Sequence, residues 1–406
     1  MYIERSIRGR FISAAKSNSI VAVVGPRQSG KTTFLKEQSG GAASYILFDD
    51  PDVREIFDAD VKKFEDQYLK GNKPAILDEI QYGKDPGRKL KYLADSGKRL
   101  WVTSSSQSAL NKNVLGWLVG RVAIIKLYPF SIREFLTAKG YKHTTDRIID
   151  RATDEHMRYG GYPKVVLEDD TQNKEALLRD LYETMILKDV ARTFAIGDID
   201  ALEKMAAYLS HSIGGMIAYN SMCRELGLSF QSVKRYLNAM EKSYIIAKVT
   251  PFYRNRLKEL VKQPKIYFLD TGLRNAVAND FSMGAESAGK LFENYVFTEL
   301  LKAGMEVKFW QSKGKAEVDF IIQMGGEVIP IEVKLKVVGS HLERSMLSFI
   351  NSYRPKKGFV VFREGRHSKI RRGRCTIEFV TAIDLVTKLT KEKQAVQDRK
   401  INTDVL

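Results

Sequence analysis

Residues 19–32 read SIVAVVGPRQSGKT, an apolar run that ends in a glycine-rich turn and a lysine. A strand with no polar alternation is stable only when both its faces are covered, as in the interior of a parallel sheet. From Gly25 to Thr32 the chain satisfies GxxxxGK[ST], and the helix-favouring KTTFLKEQ continues from its lysine. Strand, loop and helix in that order are the context this pattern requires. Gly25 and Gly30 let the backbone of Pro26, Arg27, Gln28 and Ser29 curl until its N–H groups converge on a phosphate. The helix that starts there adds its partial positive charge. Lys31 is then placed to reach the β and γ phosphates, and Thr32, followed by Thr33, to offer a hydroxyl to Mg²⁺. The expected ligands are ATP and Mg²⁺.

A second stretch fits the first. AILDEI (75–80) is another apolar run, and it ends in two carboxylates. Ligands of α/β sheets gather at the C-terminal ends of strands, so Asp78 would complete the Mg²⁺ shell and Glu79 would polarise an attacking water. RLWVTSS (99–105) and VAIIKL (122–127) supply further buried strands, with the helical DPGRKLKYLADSG between two of them. Strands alternating with helices predict a parallel α/β sheet. The hydroxyls of TSSS (103–106), Ser105 among them, either sense a γ-phosphate or cap a strand end. Arg121, just before a strand, would serve as an arginine finger across a subunit boundary, which implies a homo-oligomer; Arg27 inside the loop is the alternative.

Composition suggests a further partner. The 406 residues carry 66 Lys and Arg against 49 Asp and Glu, a net +17 that favours polyanions and points to DNA. A basic cluster, RPKKGFVVFREGRHSKIRRGR (354–374), brackets the strand-like GFVVF. NSMCRELGLSFQSVKRYLNAMEKS (220–243) has helix-turn-helix spacing, with Lys234, Arg235 and Lys242 on the second helix as expected phosphate contacts. YIIAKVTPFY and KIYFLD then predict two strands, with the basic RNRLKELVKQP between them like a wing. The tail TKEKQAVQDRKINTDVL, from 390, is polar and expected to be loose. Two cysteines, Cys223 and Cys375, and five scattered histidines argue against a disulfide scaffold and against zinc. With no long apolar run and no signal-like start, the expectation is a soluble cytoplasmic protein without a membrane partner.

EVDFIIQMGGEVIPIEVKLK (317–336) poses a separate question. If Gly325 and Gly326 make a two-residue turn, Asp319 faces Glu332 and Glu317 faces Lys334. Alternation then puts these side chains on one face, with Val318, Phe320, Val333 and Leu335 on the other. Crowded carboxylates repel unless a divalent cation shares them. Asp319 and Glu332 would hold that cation, Lys334 would stabilise charge on a phosphodiester, and Glu317 and Glu293 would support them. The spacing D-x(12)-E-x-K is that of a metal-dependent nuclease. A solvated hairpin face with cross-strand salt bridges has the same pattern, and so does a site that binds DNA without cutting it.

Taken in order, GPRQSGKTT, AILDEIQ, GRVAIIKLYPFSIREFL, YGGYPKVV, LKDVAR, KIYFLDTGLRNAV, GKLFENYV and EVDFII…IPIEVK resemble the AAA-type P-loop ATPases of bacteria and archaea. The resemblance covers about residues 10–340 and departs at Ser104, where the family has glycine in a TGS sequence. It implies an α/β fold class with a P-loop, AAA-like ATPase core at 1–148 and a helical lid region at 149–210. A winged-helix-like domain at 211–283, a domain similar to the PD-(D/E)xK restriction-type nucleases at 284–389 and a tail at 390–406 complete the expectation. The resemblance names an architecture and no settled role; the motifs and charge together predict an ATPase that couples nucleotide hydrolysis to DNA binding or cleavage. The alternative is a nucleotide-dependent switch whose second half only docks DNA or a protein.

Overall fold

The structure is a computed structural model describing residues 2–71, 73–106, 116–141, 143–253, 259 and 262–403. The chain divides into two compact units, each assembled from three stretches. The first holds Met1–His143, Gly161–Ile199 and Arg235–Ile245; the second holds Thr144–Gly160, Asp200–Lys234 and Ile246–Leu406. These boundaries cut across the sequential division read from the sequence, because stretches distant along the chain pack into one unit.

In the first unit, β1 (Ile20–Val24), β2 (Ser44–Leu47), β3 (Ala75–Asp78), β4 (Leu100–Ser104) and β5 (Val122–Lys126) form a parallel sheet in the order β2-β3-β4-β1-β5. β1 lies between β4 and β5 and is buried at every residue, as its unbroken apolar run requires. The edge strand β2 escapes sequence reading because SYIL is short and exposes Tyr45 and Leu47. Phe11, Val21, Val23, Phe34, Ile76 and Leu127 share the core, with the Phe11 ring edge-on to Phe34 at 5.1 Å. Parallel strands end together, so the segments after β1, β3 and β4 converge on one rim.

The second unit contains β6 (Ile246–Val249) and β7 (Lys265–Phe268), an antiparallel pair, and a larger mixed sheet. That sheet comprises β8 (Val307–Gln311), β9 (Glu317–Met324), β10 (Glu327–Lys336), β11 (Lys357–Glu364), β12 (Ser368–Arg372) and β13 (Cys375–Val380), in the order β12-β13-β11-β10-β9-β8. Trp310, Val318, Ile321, Phe349, Val360 and Phe379 form part of its core. The β9–β10 hairpin turns on Gly325 and Gly326, whose φ of 57° and 82° suit a two-glycine turn. Its expected register holds from Glu327–Met324 to Ile331–Phe320, with Pro330 opposite Ile321.

Beyond Phe320 the hairpin departs from the expectation. The Asp319 carboxylate accepts the Val333 N–H at 2.7 Å, so a side chain stands where a ladder bond would be. Glu317 pairs with Gln311 of β8, and its carboxylate is engaged by Lys265 rather than facing Lys334. The tail also differs, since a helix runs from Ala382 to Thr403. Lys, Gln, Ala, Leu, Glu and Arg, all strong helix formers, supply 12 of its 22 residues, which outweighs its polarity.

YGGYP and DTGLR meet backbone to backbone. A Cβ on Gly160 would fall 1.9 Å from an Asp270 carboxylate oxygen, and one on Gly272 would fall 2.2 Å from the Tyr159 carbonyl oxygen. Asn275 Nδ2 donates to the Arg158 carbonyl at 2.8 Å. Glycine is required at both positions by close approach.

The helix-turn-helix spacing is realised as helices Tyr219–Leu226 and Phe230–Lys242, with Gly227 left-handed at φ 66° between them. β6 and β7 follow as the two expected strands. Most of the expected wing, residues 254–258 and 260–261, lies outside the described residues. Among the described residues no helix is long and apolar enough to cross a membrane.

Candidate nucleotide site and carboxylate centre

The loop after β1 is tightly seated. A Cβ on Gly25 would lie 2.0 Å from the Leu127 carbonyl oxygen, so only glycine fits where the loop leaves the sheet. Gly30 has φ 94° and Gln28, exposed, has φ 58°, the left-handed turns that curl the loop. Lys31 opens the helix Lys31–Ser39 and is 4% exposed, its Nζ donating to the carbonyls of Gly25 (3.1 Å) and Pro26 (2.9 Å). Burial holds the Lys31 ammonium below the usual lysine range, against the pull of Glu79 and Asp78. Ser29 Oγ is buried without a hydrogen-bond partner, a donor left over inside the cradle. Thr33 is exposed on the helix.

Asp78 ends β3 amid hydroxyls. Thr32 Oγ1 donates to its carboxylate at 2.9 Å, Thr103 Oγ1 at 2.5 Å and Tyr45 OH at 2.8 Å. The threonine of the loop and the strand-end aspartate, the two residues expected at Mg²⁺, are thus adjacent. Glu79 follows with φ 56°, a strained value for a residue with a side chain. Its Oε2 accepts from Gln81 Nε2 and from the Ser105 N–H at 3.3 Å, and Gln81 also bonds Ser105 Oγ at 3.2 Å. Burial opposes the Glu79 charge, but Lys31, Gln81, Arg27 and Ser105 together hold its carboxyl below the ordinary range.

The two arginines named as candidate fingers both make ion pairs within this chain. Arg27 Nη2 donates to Asp189 at 2.8 Å and its Nε to the same carboxylate, so within this chain it is committed to an ion pair. Arg121 lies at the opposite end of the sheet, where its carbonyl accepts the Ile20 N–H and its Nε meets Asp95 at 2.7 Å. The structure does not bring Arg121 to the loop. Arg5, which carries no motif, clasps the loop by donating to the Ser29 carbonyl at 2.8 Å while pairing with buried Glu134 at 3.2 Å.

The second unit gathers the other candidates. Lys334 Nζ lies 2.9 Å from Glu332 Oε1 and 2.6 Å from Glu343 Oε1, which lift its ammonium above the usual range despite burial. Glu332 is 5% exposed and its Oε2 has no partner. Burial, with Glu293 for Asp319 and with Asp319 for Glu332, pushes their carboxyls up to about 7 and about 8. Glu293, from the helix Ala285–Lys302, accepts from Tyr267 OH at 2.6 Å and pairs with Lys290 at 2.7 Å. Lys265, 1% exposed, engages Glu317 and lies 3.5 Å from Glu293, and these carboxylates raise its ammonium against the cost of burial. Among the described residues no group of three or more His, Cys, Asp or Glu is arranged to hold a metal ion.

The basic residues proposed for nucleic acid fare unevenly. Lys234 is exposed and Lys242 half-buried, but Arg235 Nη2 donates to the carbonyls of Phe194 (2.7 Å) and Ala195 (2.6 Å). In the 354–374 cluster, Lys356, Lys357 and Arg363 pair with Glu327, Glu392, Asp150 and Asp154. Arg366, Lys369, Arg371 and Arg372 are exposed on or beside β12, an edge strand whose charge also protects it from pairing with other chains.

Arg5, Tyr45, Gln81, Asp189 and Lys265 are participants that sequence reading missed. Gln81 was accessible in principle, standing two residues after Glu79 at a strand end. Lys265 was not, because no spacing relates it to Glu293 or Glu317.

Residues 17–136 match the AAA domain family. Residues 150–283 match a domain of unknown function, DUF8612, and residues 288–382 another, DUF4143. An uncharacterised protein of Haemophilus influenzae is 26% identical over 365 residues, covering 85% of this chain and 90% of that one. Another, from Methanocaldococcus jannaschii, is 26% identical over 330 residues, covering 75% and 72%. Among solved structures, a Walker-type ATPase of Pyrococcus abyssi covers 68% of this chain and 96% of its own at 13% identity, TM-score 0.47. Cdc6p of Pyrobaculum aerophilum has the same coverages at 12% identity, TM-score 0.30. The AAA match spans β1 to β5 and the phosphate loop, so this region is similar to the AAA-like P-loop ATPase domains.

Proposed function

We propose that the chain is a Mg²⁺-dependent ATPase whose nucleotide cycle governs engagement of DNA by the second unit, with the Asp319–Glu332 centre acting on the phosphodiester backbone. What supports the ATPase part is the bonding of Thr32 to Asp78 at 2.9 Å beside Glu79. Thr32 and Asp78 would hold Mg²⁺, which when bound would offset charge developing on the phosphates. The loop N–H groups and Lys31 hold the phosphates, and Glu79 orients water by accepting one of its protons. Gln81 and Ser105 fix the Glu79 carboxylate so that little reorganisation is needed when the reaction begins. Tyr45 and Thr103 do the same for Asp78.

In the second unit, a divalent ion at Asp319 and Glu332 would polarise a phosphate oxygen, and Lys334 would stand beside it as a fixed positive charge. The unpartnered Glu332 Oε2 is the donor that favours such an ion. A second reading, a switch that docks DNA or a protein without cutting, is favoured by the arginines already spent on internal carbonyls and carboxylates.

The test is incubation with supercoiled, linear and single-stranded DNA plus Mg²⁺ or Mn²⁺, with and without ATP, using Asp319→Ala and Lys31→Ala alongside. Cutting abolished by Asp319→Ala is expected, with the Lys31→Ala lane reporting whether nucleotide gates it. Intact ATP hydrolysis without any cutting would shift the assignment to the switch.

A further inference from the structure

We infer that the carboxylate centre of the second unit carries a fixed cation of its own, Lys265, and so takes one divalent ion, at Asp319 and Glu332, rather than two. The inference rests on the divalent site proposed above and adds the residue that limits it.

Lys265 opens β7 and belongs to neither the hairpin nor the helix that carry the acidic motif. It is 1% exposed, and its Nζ stands 5.3 Å over the Phe309 ring. The ammonium donates to Glu317 Oε1 and lies 3.5 Å from Glu293 Oε1. The remaining oxygens of these two carboxylates are also occupied. Glu317 Oε2 accepts from Gln311 at 3.2 Å, and Glu293 Oε2 is paired with Lys290 at 2.7 Å. A divalent ion between Glu293 and Glu317 would have to displace a buried ammonium from its counterions. Pairing with Val249 and Met216 pins the Lys265 backbone, so the displaced charge would stay buried and unpaired, a costly state.

Asp319 and Glu332 differ. Lys334 bonds Glu332 and is shared with Glu343, Asp319 takes a backbone N–H, and among the described residues Glu332 keeps one buried oxygen without a partner. Five carboxylates, Glu293, Glu317, Asp319, Glu332 and Glu343, meet three ammonium groups, Lys265, Lys290 and Lys334.

Mn²⁺ binding to the full chain without nucleotide, counted by electron paramagnetic resonance in a Lys31→Ala background, tests the inference. One ion per chain is expected, lost in Asp319→Ala and retained in Glu317→Gln. Lys265→Met should acquire a second ion, which adding Glu317→Gln removes. Two ions in the parent chain, one of them lost with Glu317→Gln, would overturn the inference, as would a folded Lys265→Met that stays at one. The Glu317→Gln comparison keeps Lys265 in place, so it decides even where Lys265→Met does not fold. No ion in the parent, together with a Glu317-dependent ion in Lys265→Met, would remove the Asp319–Glu332 site proposed above and leave Lys265 as the resident cation.

Discussion

In the first unit, the carboxylates of Asp78 and Glu79 are bonded by the hydroxyls of Thr32, Thr103 and Tyr45, the Gln81 amide and a backbone N–H. In the second, Glu293, Glu317 and Glu332 are bonded largely by lysine ammonium groups, while Asp319 takes a backbone N–H. The difference lies in what an incoming ion must displace. A neutral donor yields its acceptor for about 0.5–1.5 kcal/mol and rotates away, whereas a buried ammonium leaves an unpaired charge. The first arrangement suits repeated exchange of Mg²⁺ and phosphate. The second suits a charge that stays where it is.

The comparison breaks most readily at the phosphate loop. Lys31→Ala should lower steady-state phosphate release by about 10²–10³-fold, since it removes the buried positive charge proposed above to hold the phosphates. Unchanged turnover would show that the loop is not the site of hydrolysis. Glu79→Gln should slow turnover by about 10²-fold while a fluorescent ATP analogue binds as before, the signature of a lost base rather than lost binding.

The pH dependence of stability sharpens the contrast. Asp319 and Glu332 have carboxyls raised from 3.8 and 4.5 to about 7 and about 8, so the folded state binds more protons than the unfolded state across that interval. Their contribution is fully present below the ordinary carboxylate range and is lost as pH rises through about 7 and about 8. In chelator, the melting temperature of the second unit, followed through Trp310, should fall from pH 5 to pH 9. Asp319→Asn should flatten that fall and raise the melting temperature at the alkaline end by about 2–4 °C. Stability that instead climbs over this range would show that the pair is not a proton-binding centre. The smallest effect belongs to Tyr45→Phe. Asp78 keeps two hydroxyl donors, so the Mg²⁺ concentration for half-maximal turnover should change about 2–5-fold with kcat preserved.

Much of the first site was legible because its chemistry is local. Gly25 to Thr32 is contiguous, and Asp78 and Glu79 stand at the end of an apolar run whose place in a parallel sheet follows from burial alone. Only the rim partners were hidden, since Tyr45 reaches Asp78 from a strand too short and too exposed to be read. The hairpin turn and half its register were legible from Gly325, Gly326 and alternation. What failed was extrapolation past Phe320, where the Asp319 side chain replaces a ladder bond. The tail failed for another reason: polarity was taken for looseness, although the same residues favour helix.

By itself the sequence determined the phosphate loop and the strand and helix that flank it, because these depend on neighbours a few residues apart, whereas the close packing of Gly25 on the Leu127 carbonyl came from the fold. Tertiary structure alone decided the partners of the charges. Arg27 was drawn to Asp189, Arg121 to the far end of the sheet, and Lys265 into the acidic centre. Electrostatic partners are set by distance and burial in space, and neither quantity is written in separation along the chain.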